Sequence, residues 1–282
     1  MAEPIRNPQR VHAPVQLVSE HQGFLTYQSY LKIPELLSLQ VPLSDPEEHD
    51  ELLFIVIHQV YELWFKVVLQ ELDYASLAFL SGDLPRARAA LKRVLTIMKV
   101  LVAQLDILET MTPRDFRSFR DRLESASGFQ SAQFRELEFL LGGKRLSIMD
   151  AFPDGSPDRA RLEQRRVEPT LWDAFLRFLA DRGYGVPREQ LDRDVTVGHE
   201  PSAGVQTLLI EIYRVDPEVS SLCERLVDLD EGLQEWRYRH VKMVERTIGQ
   251  KSGTGGSAGV EYLKTTLGRP VFPDLWAIRS VL

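Results

Sequence analysis

Two histidines in this chain stand where an imidazole could do chemistry. His58 lies in Leu52 to Leu69, LLFIVIHQVYELWFKVVL, whose only charges are Glu62 and Lys66. Polar residues recur at Gln59, Glu62, Lys66, Gln70 and Asp73, one narrow stripe at helical spacing. The stretch therefore reads as a helix, nearly all of it buried, with Phe54, Tyr61 and Phe65 beside His58 at the edge of the buried side. His240 lies in LDEGLQEWRYRHVKMVERTI, Leu229 to Ile248. There Leu229, Leu233, Trp236, His240, Val244 and Thr247 share one line at helical spacing, opposite Glu235, Arg239, Lys242 and Arg246, so His240 points inward. Each imidazole has a plain alternative as a hydrogen-bonded core residue. Together they can be two ligands, a base and a ligand, or two core residues.

What the chain lacks narrows the choice. It has no Glu-x-x-His pair for a di-iron bundle, no His-Glu-x-x-His zinc helix and no Walker phosphate loop. Gly253, Gly255 and Ala258 spell a dinucleotide motif, but they follow a helix where that motif needs a strand. His199, beside Glu200, has no second histidine at metal-binding spacing. A haem needs one axial imidazole from a rigid apolar wall and, for oxygen chemistry, an open opposite face; His240 suits the first role and His58 a lone polar position in a dry pocket. An arginine such as Arg120 could clamp a carboxylate through two parallel hydrogen bonds.

The elements that must position these groups are helical. Pro42, Ser44, Asp45 and Pro46 signal a start, and Glu47, Glu48, Asp50 and Glu51 load the first turns of a helix running to about Phe79 and ending at Gly82. After Pro85, apolar residues from Leu91 to Leu108 repeat at three and four, giving a second long helix antiparallel to the first. Thr112 and Pro113 read as N-cap and first residue of a shorter helix. Ser125 to Gly128 breaks the chain before a helix that stops at Gly142 and Gly143. Residues of about 145 to 200 read as an inserted helical subregion, with a loop at Pro153 to Pro157 and a clear amphipathic helix from Leu171. Helices follow over Gly204 to Val215 and from Pro217. The expected fold class is all-α, a single-domain bundle over residues 23–282 behind a mobile arm at 1–22.

Composition bounds the partners. The 282 residues are 44% apolar with a net charge of -7, which argues against nucleic acid, since that needs a basic face. A single cysteine, Cys223, excludes an internal disulfide or a thiolate cluster. The N-terminus has no apolar leader, and the run from Leu52 carries too many polar groups for a comfortable membrane span. A soluble, cytoplasmic protein without membrane or nucleic-acid partners is expected.

Four motifs in order, FIVIHQVYELWFK, LETMTPRDFRSFRDRLESASGFQSAQFR, WRYRHVKMVERTIG and GTGGSAGVEYL, closely resemble the tryptophan 2,3-dioxygenase family. The resemblance implies haem b, ferrous for activity, with His240 as the axial iron ligand and Ser127 and Gly128 beside the cofactor. It implies that His58 hydrogen-bonds the indole N–H of L-tryptophan and that Phe54, Ile55, Val56 and Ile57 line the indole pocket with it. Phe116 and Arg120 would lie at the substrate carboxylate, and Thr254 at the ammonium and carboxylate end. Phe116 stands where some members have a tyrosine, so one carboxylate hydrogen bond is expected to be missing; Leu105 likewise replaces a tryptophan. A homotetramer is implied, with Tyr27, Tyr30 and Leu31 of the LTYQSYL arm completing a neighbour's pocket. The implied reaction inserts O2 across the indole C2–C3 bond to give N-formyl-L-kynurenine. Two other readings stand beside it: a haem sensor or carrier without turnover, and a non-catalytic helical interaction module.

Overall fold

The computed structural model describes residues 24–249, 251 and 260–282. Every regular element among them is a helix. The chain divides into two compact units at Val41 and Pro42. The expected mobile arm at 1–22 lies outside the described residues.

The first unit contains α1 (Tyr27–Leu31) and α2 (Ile33–Leu37). Thr26 caps α1 reciprocally with Ser29, and Lys32, at φ 51°, closes α1 and opens α2. Its apolar side chains are open: Tyr27 is 75% exposed and Tyr30 68%, so within one chain this hairpin has no core of its own.

The second unit is built on α3 (His49–Leu80), α4 (Leu84–Leu108) and α11 (Pro217–Ile248), with α4 packed against both of the others. The acidic load expected at the start of α3 acts through Glu51. Its buried carboxylate accepts from the Leu43 and Ser44 amides at 2.8 and 3.0 Å and from the Ser44 hydroxyl, fastening the preceding loop to the first turn. Burial would raise this carboxyl's pKa, but the hydrogen bonds outweigh it and hold the pKa low.

The expectation that α3 is nearly all buried needs correcting. Ile57, Tyr61, Phe65, Leu72 and Phe79 are packed inside, whereas Leu52, Val56, Leu63, Tyr74, Leu77 and Leu80 are exposed in the single chain. The apolar surface is thus wider than one chain's core can cover. By length and composition α3 would even pass for a membrane span, contrary to what its polar stripe was expected to prevent.

Within the stretch from 145 to 200, the apolar residues from Leu171 to Leu179 join the main core, while Ile148, Met149, Phe152 and Leu162 pack in a smaller cluster with Ala132 and Phe139. α5 (Pro113–Arg120) and α6 (Ala132–Leu140) precede this stretch, and within it lie α7 (Pro157–Val167), α8 (Leu171–Asp181) and α9 (Arg188–Leu191). Phe175 and Phe178 of α8 meet Phe79 of α3 with ring centroids 5.5 and 5.8 Å apart. Pro157, expected in a loop, is the first residue of α7; only Leu162 of that helix is buried, so its apolar period is nearly silent. His199 is half-buried, stacks against Trp172 and crowds Gly142, where a Cβ would lie 2.9 Å from its ring.

α10 (Ala203–Val215) leads into α11, and Pro217 to Ile248 form one helix where two were expected. Asp216 caps α11 through the Glu218 and Val219 amides, and Gly249, at φ 60°, ends it. The last elements are α12 (Val260–Lys264) and α13 (Pro273–Ala277). Fully buried Asp230 anchors this end: one oxygen accepts from the Val271 and Phe272 amides and Trp276 Nε1 at 2.7 to 2.9 Å, and the other accepts from Gln234. Asp230→Ala strands these donors and is expected to lower unfolding free energy by about 3 kcal/mol, read from the denaturant midpoint. A change below about 0.5 kcal/mol would mean that the anchor is not needed.

Candidate functional site

α3, α4, α5, α6, α11 and α12 all line a largely apolar cavity, and both inward histidines border it. Along α3, Phe54, His58, Tyr61, Glu62 and Phe65 border it, at the i, i+3 and i+4 spacing that puts residues on one helix face. α11 offers Trp236, His240, Val244 and Thr247 by the same rule.

The tautomer of His58 follows from its position. Its Nδ1 lies 2.7 Å from the Phe54 carbonyl oxygen, which can only accept, so Nδ1 carries the proton and the neutral ring keeps Nε2 as an acceptor. The Phe54 ring holds the imidazole at 4.1 Å and itself leans on Phe116 and Phe119 at 5.7 and 5.5 Å. His58 has open surface because it borders the cavity, yet protein surrounds its other sides. That burial lowers its pKa, against the opposing pull of the Phe54 carbonyl and the Glu62 charge.

His240 is fixed differently. Its ring stacks on Trp236, one turn earlier, with centroids 5.2 Å apart and planes 2° from parallel. Trp236 is in turn walled by Tyr61, Phe65 and Phe134, and the Tyr61 hydroxyl donates to the Leu101 carbonyl at 2.7 Å. Burial, then the charges of His58 and Arg135, depress the His240 pKa to about 4. At neutral pH the imidazole is therefore neutral, the form that binds a metal.

The short helix α5 supplies the polar end. Thr112 and Asp115 cap it reciprocally, with the Thr112 amide donating to Asp115 at 2.9 Å and the Asp115 amide to the Thr112 hydroxyl at 3.3 Å. The cap fixes where Phe116 and, at the last residue, Arg120 meet the cavity. The Phe116 side chain brings no hydroxyl there, and Leu105, Leu108 and Met111 keep the adjoining wall apolar.

His58, Phe54, Phe116, Arg120, Ser127, Gly128 and His240 thus all border one cavity. Ile55, Val56 and Ile57 do not: Ile57 is 5% exposed in the core, and Val56 is exposed off the cavity. Consecutive helical residues diverge by about 100°, so Phe54 and His58 share a face that the three between them leave. Thr254 lies outside the described residues. Tyr27, Tyr30 and Leu31 belong to the first unit and are exposed.

Sequence reasoning missed a basic wall. Arg135 and Glu138 of α6 and Arg237 of α11 line the cavity together with Tyr262 of α12. The legible signal was Arg237, three residues before His240 on the same helix; nothing local marked Arg135 and Glu138 as facing it. Among the described residues, no group of three or more His, Cys, Asp or Glu side chains is arranged to hold a metal ion.

Known proteins align with nearly the whole chain. A family model described as tryptophan 2,3-dioxygenase matches residues 9–156 and 166–282. A tryptophan 2,3-dioxygenase of Herpetosiphon aurantiacus is 62% identical over 258 residues, covering 92% of this chain and 98% of the relative. One from Anaeromyxobacter sp. strain K is 56% identical over 264 residues, covering 94% and 98%, and one from Caulobacter vibrioides is 47% identical over 262, covering 92% and 98%.

Proposed function

The chain belongs to the tryptophan 2,3-dioxygenase family and has that oxidoreductase activity, and from this premise we propose how its residues carry the reaction. The reaction inserts both atoms of O2 across the indole C2–C3 bond of L-tryptophan, giving N-formyl-L-kynurenine. The sensor and interaction-module readings are not favoured by relatives of this identity and coverage.

The family is haem-dependent, and the cavity's donors suit that group. His240 is one neutral imidazole in a largely apolar cavity wall, the donor chemistry that would suit haem iron. In this proposal His240 would hold the haem iron, and Ser127 and Gly128 would border the cofactor. Ferrous haem, when bound, supplies the O2 chemistry.

The chain's own groups bind and orient the substrate. His58 Nε2 accepts the indole N–H, a positioning contact, since an indole N–H is too weak an acid to need this ring as an obligatory base. Phe54 and Phe116 give the indole an apolar seat. Arg120 pairs with the carboxylate, with no hydroxyl at position 116 to share the load. Water is kept from the reacting carbons by the aromatic and aliphatic walls. The single observation that carries the reading is that one cavity is lined both by the neutral imidazole of His240 and by a second imidazole, His58, whose Nδ1 is taken up by the Phe54 carbonyl.

The same proposal includes a cytoplasmic homotetramer in which Tyr27, Tyr30 and Leu31 complete a neighbour's pocket. The exposed apolar residues of α1 and of α3 support it, because they have nothing to pack on within their own units.

The test is spectroscopic. Haem-reconstituted protein is expected to give a Soret band that shifts on adding L-tryptophan and, with reductant and O2, N-formylkynurenine carrying two atoms of labelled oxygen. No band, or a band without product, would overturn the proposal. The pH profile is a second check. Protonating His58 fills Nε2 and removes the acceptor, so kcat/KM falls as pH drops; with the pKa lowered, the acid limb is expected below pH 6.5. Glu62→Gln removes a charge that favours the imidazolium and is expected to move that limb further down. A limb above 6.5, or one that rises in the variant, would contradict the assignment.

A further inference from the structure

One wall of the cavity takes no part in the mechanism above, and three guanidinium groups converge there on one carboxylate. Glu138, 5% exposed, accepts from Arg135 at 2.5 Å, from Arg145 at 3.2 Å and from Arg237 at 3.5 Å. Arg145 also donates to the Tyr262 hydroxyl at 3.1 Å. Arg135 is itself buried, 6% exposed, held between the Phe129 and Phe134 rings, and its Nε has no hydrogen-bond partner.

Glu138 can neutralise only one of the three cations. A buried guanidinium without full compensation costs several kcal/mol, so a wall of this kind calls for an anion supplied from the cavity side. Arg135 and Arg237 face the cavity, on α6 and on α11 one turn before His240. A haem carries two propionate carboxylates on one edge, and these would meet the two charges that Glu138 leaves over.

We propose that Arg135 and Arg237, bracketed by Glu138, seat the propionate carboxylates of the porphyrin. This rests on the haem reading above and extends it from the iron to the cofactor's charged edge. Seated there, the propionates fix the rotation of the macrocycle about the axis through His240, and so which part of it faces Phe54 and His58.

Ferric haem and its dimethyl ester, in which both carboxylates are blocked, are the probes. Each is titrated into apoprotein by Soret absorbance, and its loss to apomyoglobin is timed. Wild type is expected to hold haem about tenfold or more tighter than the ester, the scale of one charge-assisted contact. Arg135→Gln and Arg237→Gln are expected to bring that ratio towards one while ester binding changes little, and Arg135→Lys is expected to keep part of the preference. Far-UV circular dichroism checks folding. If Arg135→Gln does not fold, the wild-type ratio and Arg237→Gln still decide. Equal binding of both probes by wild type, or equal weakening of both in the variants, overturns the propionate seat and leaves the haem reading intact. No Soret band with either probe overturns both.

Discussion

Replacing His240 by alanine is expected to abolish the Soret band and, with it, all turnover. The ring stacks on Trp236 and faces the cavity, so its removal leaves the packing of α11 against α4 in place, where Leu229 and Leu233 are 2% and 3% exposed. Helicity by circular dichroism is therefore expected to survive while cofactor binding does not. Haem affinity is expected to fall by at least ~100-fold, since even a partner one shell removed from a metal costs about 10–100-fold. Free imidazole, small enough to enter the vacated space, is expected to restore part of the band. Intact haem content in the variant would refute the axial assignment; collapse of helicity together with haem would show that the ring is needed for the core instead.

The second large effect is expected at Arg120. Arg120→Leu removes the guanidinium proposed to clamp the substrate carboxylate and leaves that anion to be desolvated without it. Breaking a charge pair of this kind costs about 2–5 kcal/mol, so kcat/KM for L-tryptophan is expected to fall about 30- to 4,000-fold, mainly through KM. Tryptamine, which has no carboxylate, is expected to bind the variant and the parent alike. Arg120→Lys keeps the charge and loses the planar fork, so an intermediate value is expected. Because the Phe116 side chain offers no hydroxyl to the same carboxylate, Phe116→Tyr in the parent is expected to lower KM modestly, and in Arg120→Leu to recover part of the loss. An unchanged KM in Arg120→Leu would place the carboxylate elsewhere.

Much of this was legible in the sequence, wherever the deciding physics spans a turn or two of helix. The period of apolar residues located α3, α4 and α11, Thr112 with Asp115 announced the cap of α5, and the lines through His58 and His240 turned both rings inward. The resemblance implied Ile55, Val56 and Ile57 as pocket residues as well, but they do not border the cavity, since consecutive helical residues point in directions about 100° apart. α7 escaped notice for a different reason: with a single buried leucine it carries almost no periodic signal, and it is defined by its Ser156 cap and by packing on α6.

What the chain determines by itself is a set of helices, each with its own inward stripe, because propensity, capping and amphipathic period are settled among residues a few positions apart. Only the tertiary structure decided which stripes face one another across a cavity, and that Arg237, 99 residues along the chain, joins the nearby Arg135 and Arg145 on Glu138. Electrostatic pairing of that kind depends on distances through space between elements up to about a hundred residues apart in sequence, and no local pattern encodes those distances.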